Sequence, residues 1–179
     1  MISRRHLLGS ALALAAAPSR AAVEYPAVTP RPLAFPRDHG AHLDYRIEWW
    51  YLTGWLDAPG MASIGFQVTF FRSRTNIDPA NPSAFAAKQL VIAHAAVADP
   101  AQGALIHDER LARGGFGAAS AATEDTDVHL GRWRFWRLAD GSYRCTLPAR
   151  SFTLDFDARP TQPLLLQGTA GYSRKGPDP

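Results

Sequence analysis

Acid, imidazole and carboxylate groups crowd one stretch of the chain. Asp38, His39 and His42 lie just ahead of Glu48, and Glu48 opens the run Glu48-Trp49-Trp50-Tyr51-Leu52-Thr53-Gly54-Trp55. Three of the five tryptophans fall within those eight residues. A carboxylate and two imidazoles beside an aromatic wall suit proton transfer at the edge of an apolar pocket. A Glu48 turned into an apolar interior would lose solvation, which disfavours its charged form and leaves it protonated and ready to donate. The alternative for Glu48 is a buried salt bridge to Arg46, Arg72 or Arg74. His94, in Leu90-Val91-Ile92-Ala93-His94-Ala95-Ala96-Val97, is an isolated polar group in an apolar run. It reads as a hydrogen-bonded core histidine or as a second catalytic group.

The aromatic run is too apolar for a solvated strand, so it is either plain core or one wall of a cavity. In the cavity reading, Trp49, Trp50, Tyr51 and Trp55 line the ligand, with Glu48 and His94 as the catalytic pair and Asp38, His39 and His42 at the rim. Gln67 joins the ligand-binding set, because Gly65, Gln67, Thr69 and Phe71 share a face polar enough to line a wet cavity. His39 and His42 lack an evident third ligand, so no metal is expected. The chain has no Gly-x-Ser-x-Gly elbow, no His-Glu-x-x-His and no Cys-x-x-Cys, which argues against serine and zinc hydrolases. Gly114-Gly115-Phe116-Gly117 has no Lys-Ser or Lys-Thr after it and reads as an inter-strand loop.

These groups must be held by strands. Apolar runs of period two, bounded by Gly, Pro and Asp, recur at 48–56, 64–72, 90–98, 104–110, 128–138, 142–147, 152–156 and 164–168. The expectation is an all-β protein of about eight strands. Asp57-Ala58-Pro59-Gly60 and Asp140-Gly141 supply turns. Residues 76–88, with Pro79 and Pro82, form the longest connection between strands and suit a rim loop. Residues 22–37, with Pro26, Pro30, Pro32 and Pro36, read as an extended lead-in, 38–168 as the domain, and 169–179 as a linker.

The first 21 residues carry Arg4-Arg5, an apolar run from Leu7 to Ala17 and small residues at Ser19 and Ala21. This is the pattern of a twin-arginine signal, which predicts export to the periplasm or beyond, with membrane contact only in transit. Arg4, Arg5 and Arg20 would leave with it, taking Lys plus Arg from 19 to 16 against 16 acidic residues. The chain's net charge of +3 therefore gives no reason to expect nucleic-acid binding. Cys145 is the only cysteine, so no intrachain disulfide can form, and it reads as a small buried hydrophobe.

Four segments in order resemble the lipocalin-like family that holds the AttH proteins and the carotenoid 1,2-hydratases. They are Phe35-Pro36-Arg37-Asp38-His39-Gly40-Ala41-His42, the run from Glu48 to Leu56, Gly65-Phe66-Gln67-Val68-Thr69-Phe70-Phe71-Arg72-Ser73-Arg74, and Ala93-His94-Ala95-Ala96-Val97-Ala98-Asp99. The resemblance implies an antiparallel lipocalin-like β-barrel, usually followed by a second one, so this chain resembles an N-terminal half. It implies an apolar ligand such as an isoprenoid, carotenoid or lipid, and no cofactor. A second barrel or a homodimer is the implied partner. In the hydratases the acid that protonates the alkene is expected in the second half, so the first reading of this half is a binding domain; the alternatives are a hydro-lyase active with a second barrel and a periplasmic accessory protein of a membrane export system.

Overall fold

The computed structural model describes residues 23–173, so the twin-arginine segment lies outside the described residues. Residues 23–36 contain no helix or strand and lead into a single 3₁₀ turn, Arg37–His39. Nine strands follow among the described residues: β1 (Ile47–Leu56), β2 (Ile64–Arg74), β3 (Gln89–Asp99), β4 (Ala104–Arg113), β5 (Ala119–Ala121), β6 (Asp127–Leu130), β7 (Trp133–Arg137), β8 (Tyr143–Pro148) and β9 (Thr153–Ala158). They form two sheets, β1-β2-β3-β4 and β5-β6-β7-β8-β9, each strand antiparallel to its neighbour in sequence.

The protein is all-β and antiparallel, as the apolar periodicity requires, but the ladders do not close on themselves. Among the described residues no ladder joins the two sheets, which pack against one another around the core, so the strand pairing shows two antiparallel sheets and not the expected closed barrel of eight strands. The strand list also differs in three places. The run 128–138 is two strands, because Gly131, at φ +58°, and Arg132 form a two-residue turn that brings Leu130 opposite Trp133. Ala119–Ala121 pairs with β6 although its three residues carry no periodic signal. Residues 164–168 are not a strand; leucines repeated without alternation do not specify a face.

Alternation decides which side chains meet. Trp50, Phe70, Ala93 and Arg110 are opposite one another across the first sheet, as are Leu52, Val68, Ala95 and Asp108, and these rows face inward. Val68, Phe70, Val91, Ala93 and Ala95 pack on Ala119, Val128, Leu130, Trp133, Phe135, Cys145, Leu147 and Leu154 of the second sheet. Fully burying one such Val, Leu or Phe side chain is worth roughly 1.5–3 kcal/mol. Trp133 is completely buried; its Nε1 donates to the Pro148 carbonyl at 2.9 Å and the Arg110 guanidinium lies 4.5 Å from its ring centre. Cys145 is likewise fully buried. The opposite face of the first sheet exposes Ile47, Trp49, Tyr51, Trp55, Leu105 and Leu111, each at least 48% accessible.

Candidate functional site

The segment 38–48 is tied to both sheets before it presents any chemistry. The Ala41 amide donates to Ala122 at 2.7 Å, and Thr126 Oγ1 and Trp50 Nε1 both donate to the His39 carbonyl, at 3.1 and 2.9 Å. A Cβ at Gly40 would collide with the backbone carbonyl of Thr123, so only glycine allows this approach. Arg72 organises the other side. Its side chain is 1% accessible, and it donates to Glu48 Oε2 from Nε at 3.0 Å and Nη2 at 2.6 Å. It also donates to the carbonyls of His42 at 2.9 Å and Tyr45 at 2.8 Å, and to Gln89 Oε1 at 3.1 Å. One buried guanidinium thus satisfies a carboxylate and the turn around it.

Glu48 receives the His42 amide as well, at 2.7 and 2.9 Å, and faces His42 Nδ1 at 2.6 Å. Every group facing it is a donor or that imidazole, so the salt bridge to Arg72, one of the three arginines considered, is the arrangement present. The other ring nitrogen, His42 Nε2, lies 2.8 Å from Asp38 Oδ1 and 3.1 Å from Arg31 Nη2. Arg31 grips Asp38 through both nitrogens, at 2.6 and 3.0 Å. That bidentate bond, aided by the Ala34 amide and His42, holds the Asp38 carboxyl well below the usual carboxylate range despite the cost of burying it. With one proton, on Nδ1, the His42 ring donates to Glu48 and accepts from Arg31. With two it donates to both carboxylates. The row Glu48–His42–Asp38 can therefore hold or pass a proton without moving a backbone atom. Burial pushes the nearby His39 imidazole below its usual value, helped by the Arg137 charge.

This row forms the polar end of a cleft of about 590 Å³. Trp49, Trp50, Tyr51 and Leu52 of β1 line it, with Thr126, Phe135 and Tyr143 on the side of the second sheet. A smaller cavity of about 220 Å³, lined by Leu33, Tyr45, Ile47 and Tyr172 among others, lies on the other side of His42 and Glu48. Those two residues are the wall between the cavities.

The structure brings together Asp38, His39, His42, Glu48, Trp49, Trp50 and Tyr51, and it separates the remaining candidates. Glu48 and His94 do not form a pair. Glu48 is opposite Arg72 on the inner face of the first sheet, whereas His94 is opposite Thr69 on the outer face. His94 is no core residue either: its side chain is 53% accessible, 3.8 Å from Glu109 and edge-on to Phe71. Gln67 lies on the same outer face, beside His94 and His107 in a third small cavity. Trp55, 72% accessible, points outward and does not reach the cleft. His42, placed at the rim by sequence, is the centre of the row.

Sequence reasoning missed Arg31, Gln89, Thr126, Phe135 and Tyr143. Arg72 was within reach: counting outward from the Pro59-Gly60 turn puts it opposite Glu48. Phe135 and Tyr143 come from the other sheet, and no local pattern announces such a meeting.

An AttH-like family model matches residues 26–179. The chain belongs to the AttH-like family. It is also similar to the crystal structure of an AttH candidate from Nitrosomonas europaea, with 52% identity and a TM-score of 0.76 over 87% of this chain. The match covers 46% of that protein, so this AttH-like chain spans about half the length of the relative. No curated protein matches the chain.

Proposed function

We propose that this AttH-like chain is an exported, lipocalin-like domain that binds a long apolar ligand, an isoprenoid, carotenoid or lipid, in the cleft beside β1. The observation that carries the reading is the cleft itself: about 590 Å³, lined by Trp49, Trp50, Tyr51, Phe135 and Tyr143 together with Asp38, His42 and Glu48. A largely apolar, preformed concavity with a few convergent polar groups is how proteins hold such ligands. The polar end fixes the ligand's direction and the rings of Trp50, Phe135 and Tyr143 supply contact area. The domain resembles the first half of a carotenoid 1,2-hydratase-type protein and is catalytically incomplete alone.

A second reading, favoured by the Glu48–His42–Asp38 row at the cleft, is a cofactor-independent hydro-lyase that works once a second β-domain or another copy joins it. Hydration of an alkene adds a proton to one carbon, leaves a cation on the other, and adds water there with release of a proton. In this reading the proton would pass through the Glu48–His42–Asp38 row, in which both His42 ring nitrogens are already engaged, and the Trp50 and Tyr143 rings would stabilise the cation. The exposed Trp49, Tyr51 and Trp55 face is where a second domain would gain the most apolar burial.

Tryptophan fluorescence of the purified chain, titrated with acyclic carotenoids, polyprenols and fatty acids against a detergent control, tests the binding reading. Saturable quenching with one ligand class, weakened at least ~10-fold in Phe135→Ala, is expected from loss of one aromatic contact. A folded protein that shows no saturable response to any of the three classes would sink it.

A further inference from the structure

We infer that the free edge of β1 is a strand-addition site, and that the strand it takes is β1 of a second copy of this chain. The Arg74 amide donates to the Arg46 carbonyl at 2.9 Å, which makes residues 46 and 74 a hydrogen-bonded pair of the β1–β2 ladder. Alternation then directs the backbone groups of Glu48, Trp50, Leu52 and Gly54 toward β2. Those of Ile47, Trp49, Tyr51, Thr53 and Trp55 point away from the sheet. Among the described residues, none hydrogen-bonds to the backbone of those five.

The other three sheet edges are blunted. β4 carries His107, Asp108, Glu109 and Arg110 in its middle, β9 carries Asp155 and Asp157, and β5 is three residues long. Charge and shortness are the devices that keep edges from pairing. β1 has ten residues, no proline, and a single charge, Glu48, which is turned inward onto Arg72. Among the described residues it is the one edge of the four left fit to pair.

A twofold axis through Tyr51 matches all five outward-pointing residues at once. Tyr51 meets the partner's Tyr51, Trp49 meets the partner's Thr53, and Ile47 meets the partner's Trp55. On the inner face Trp50 meets the partner's Leu52 and Glu48 meets the partner's Gly54, so no like charges are opposed. Aromatic and β-branched residues facing one another are the favourable cross-strand pairs.

The cleft has the same edge as its open side. Trp49, Trp50, Tyr51 and Leu52 are consecutive, and successive strand side chains point to opposite faces. One cavity touches all four only by wrapping round the free edge. An added strand would run along that opening and supply its missing wall. This last consequence rests on the ligand-binding reading; the strand addition itself does not.

The test is light scattering on the purified chain at micromolar concentration, with Thr53→Pro and Thr53→Val. Proline removes one outward N–H per copy and leaves the β1–β2 ladder intact; valine keeps the N–H and the branched side chain. A dimer is expected for the wild type and Thr53→Val, and a dimer Kd raised at least ~10-fold for Thr53→Pro. Tyr51→Cys is the second variant, and air oxidation should link it to itself, independently of how well the proline variant folds. A monomeric wild type overturns the inference, as does a dimer that survives Thr53→Pro or a Tyr51→Cys variant that never cross-links. Fluorescence titration of the same samples separates the two readings: a monomer that binds ligand refutes only the strand addition, and a dimer blind to all ligands refutes only the pocket.

Discussion

Arg72 shows what one buried cation demands. It is almost inaccessible, and its partners are one carboxylate, one amide oxygen and backbone carbonyls of the 42–45 turn. Glu48→Ala leaves that guanidinium without its countercharge and should destabilise the fold by about 3–5 kcal/mol, read from urea unfolding. A cost under ~1 kcal/mol, the range of an exposed pair, would mean that the pair is solvated. Asp38 gives a prediction in pH. Its folded carboxyl is depressed by Arg31, so its contribution is complete above the unfolded value of about 3.9 and is lost as pH falls toward the lower folded value. Asp38→Asn should be less stable than wild type at neutral pH by ~1–3 kcal/mol and should lose less on acidification below ~pH 4. Parallel acid profiles for the two proteins would remove Asp38 from the account.

At the level of elements, the site depends on a loop being pressed against a sheet. Gly40→Ala has no room beside Thr123, so the 38–42 segment must lift from residues 122–126. The variant should lose ~1–3 kcal/mol of stability and, on the proposed binding reading, should also weaken ligand binding at the cleft, because Asp38 and His42 move with the segment. Unchanged stability and binding would show that the segment adapts. The strands themselves were legible, because period two in 64–72 and 90–98 states both the element and its buried face. The site was half legible. Adjacent residues of β1 announced an aromatic wall, yet the same alternation sends Trp49, Tyr51 and Trp55 to the outer face while Trp50 turns in. His94 was misplaced for the same reason: a small-residue strand reads as buried on both faces, but Val91, Ala93, Ala95 and Val97 face the core and His94 faces away from it. The pairing of β1 with Phe135 and Tyr143 depends on how two sheets stack, which no single strand encodes.

Across the whole molecule, the interior closes around one thiol. Burial pushes Cys145 up to about 12, so its thiolate is scarce in the native state. A disulfide reagent near neutral pH should therefore label it only as fast as the protein opens, with a urea dependence equal to that of global unfolding. Rapid native labelling would mean that the second sheet opens by itself. The two sheets also differ in when they can exist. Every ladder joins strands adjacent in the chain, and the first sheet is complete by residue 113. None of its pairings waits for a later segment. During synthesis, hairpin can follow hairpin in the order of translation, the low-contact-order route that favours fast folding. What must wait is the apolar inner face of the first sheet, which stays uncovered until Trp133, Phe135 and Leu147 have been made. That interval, between the first sheet and the second, is when a nascent chain of this design most needs a chaperone.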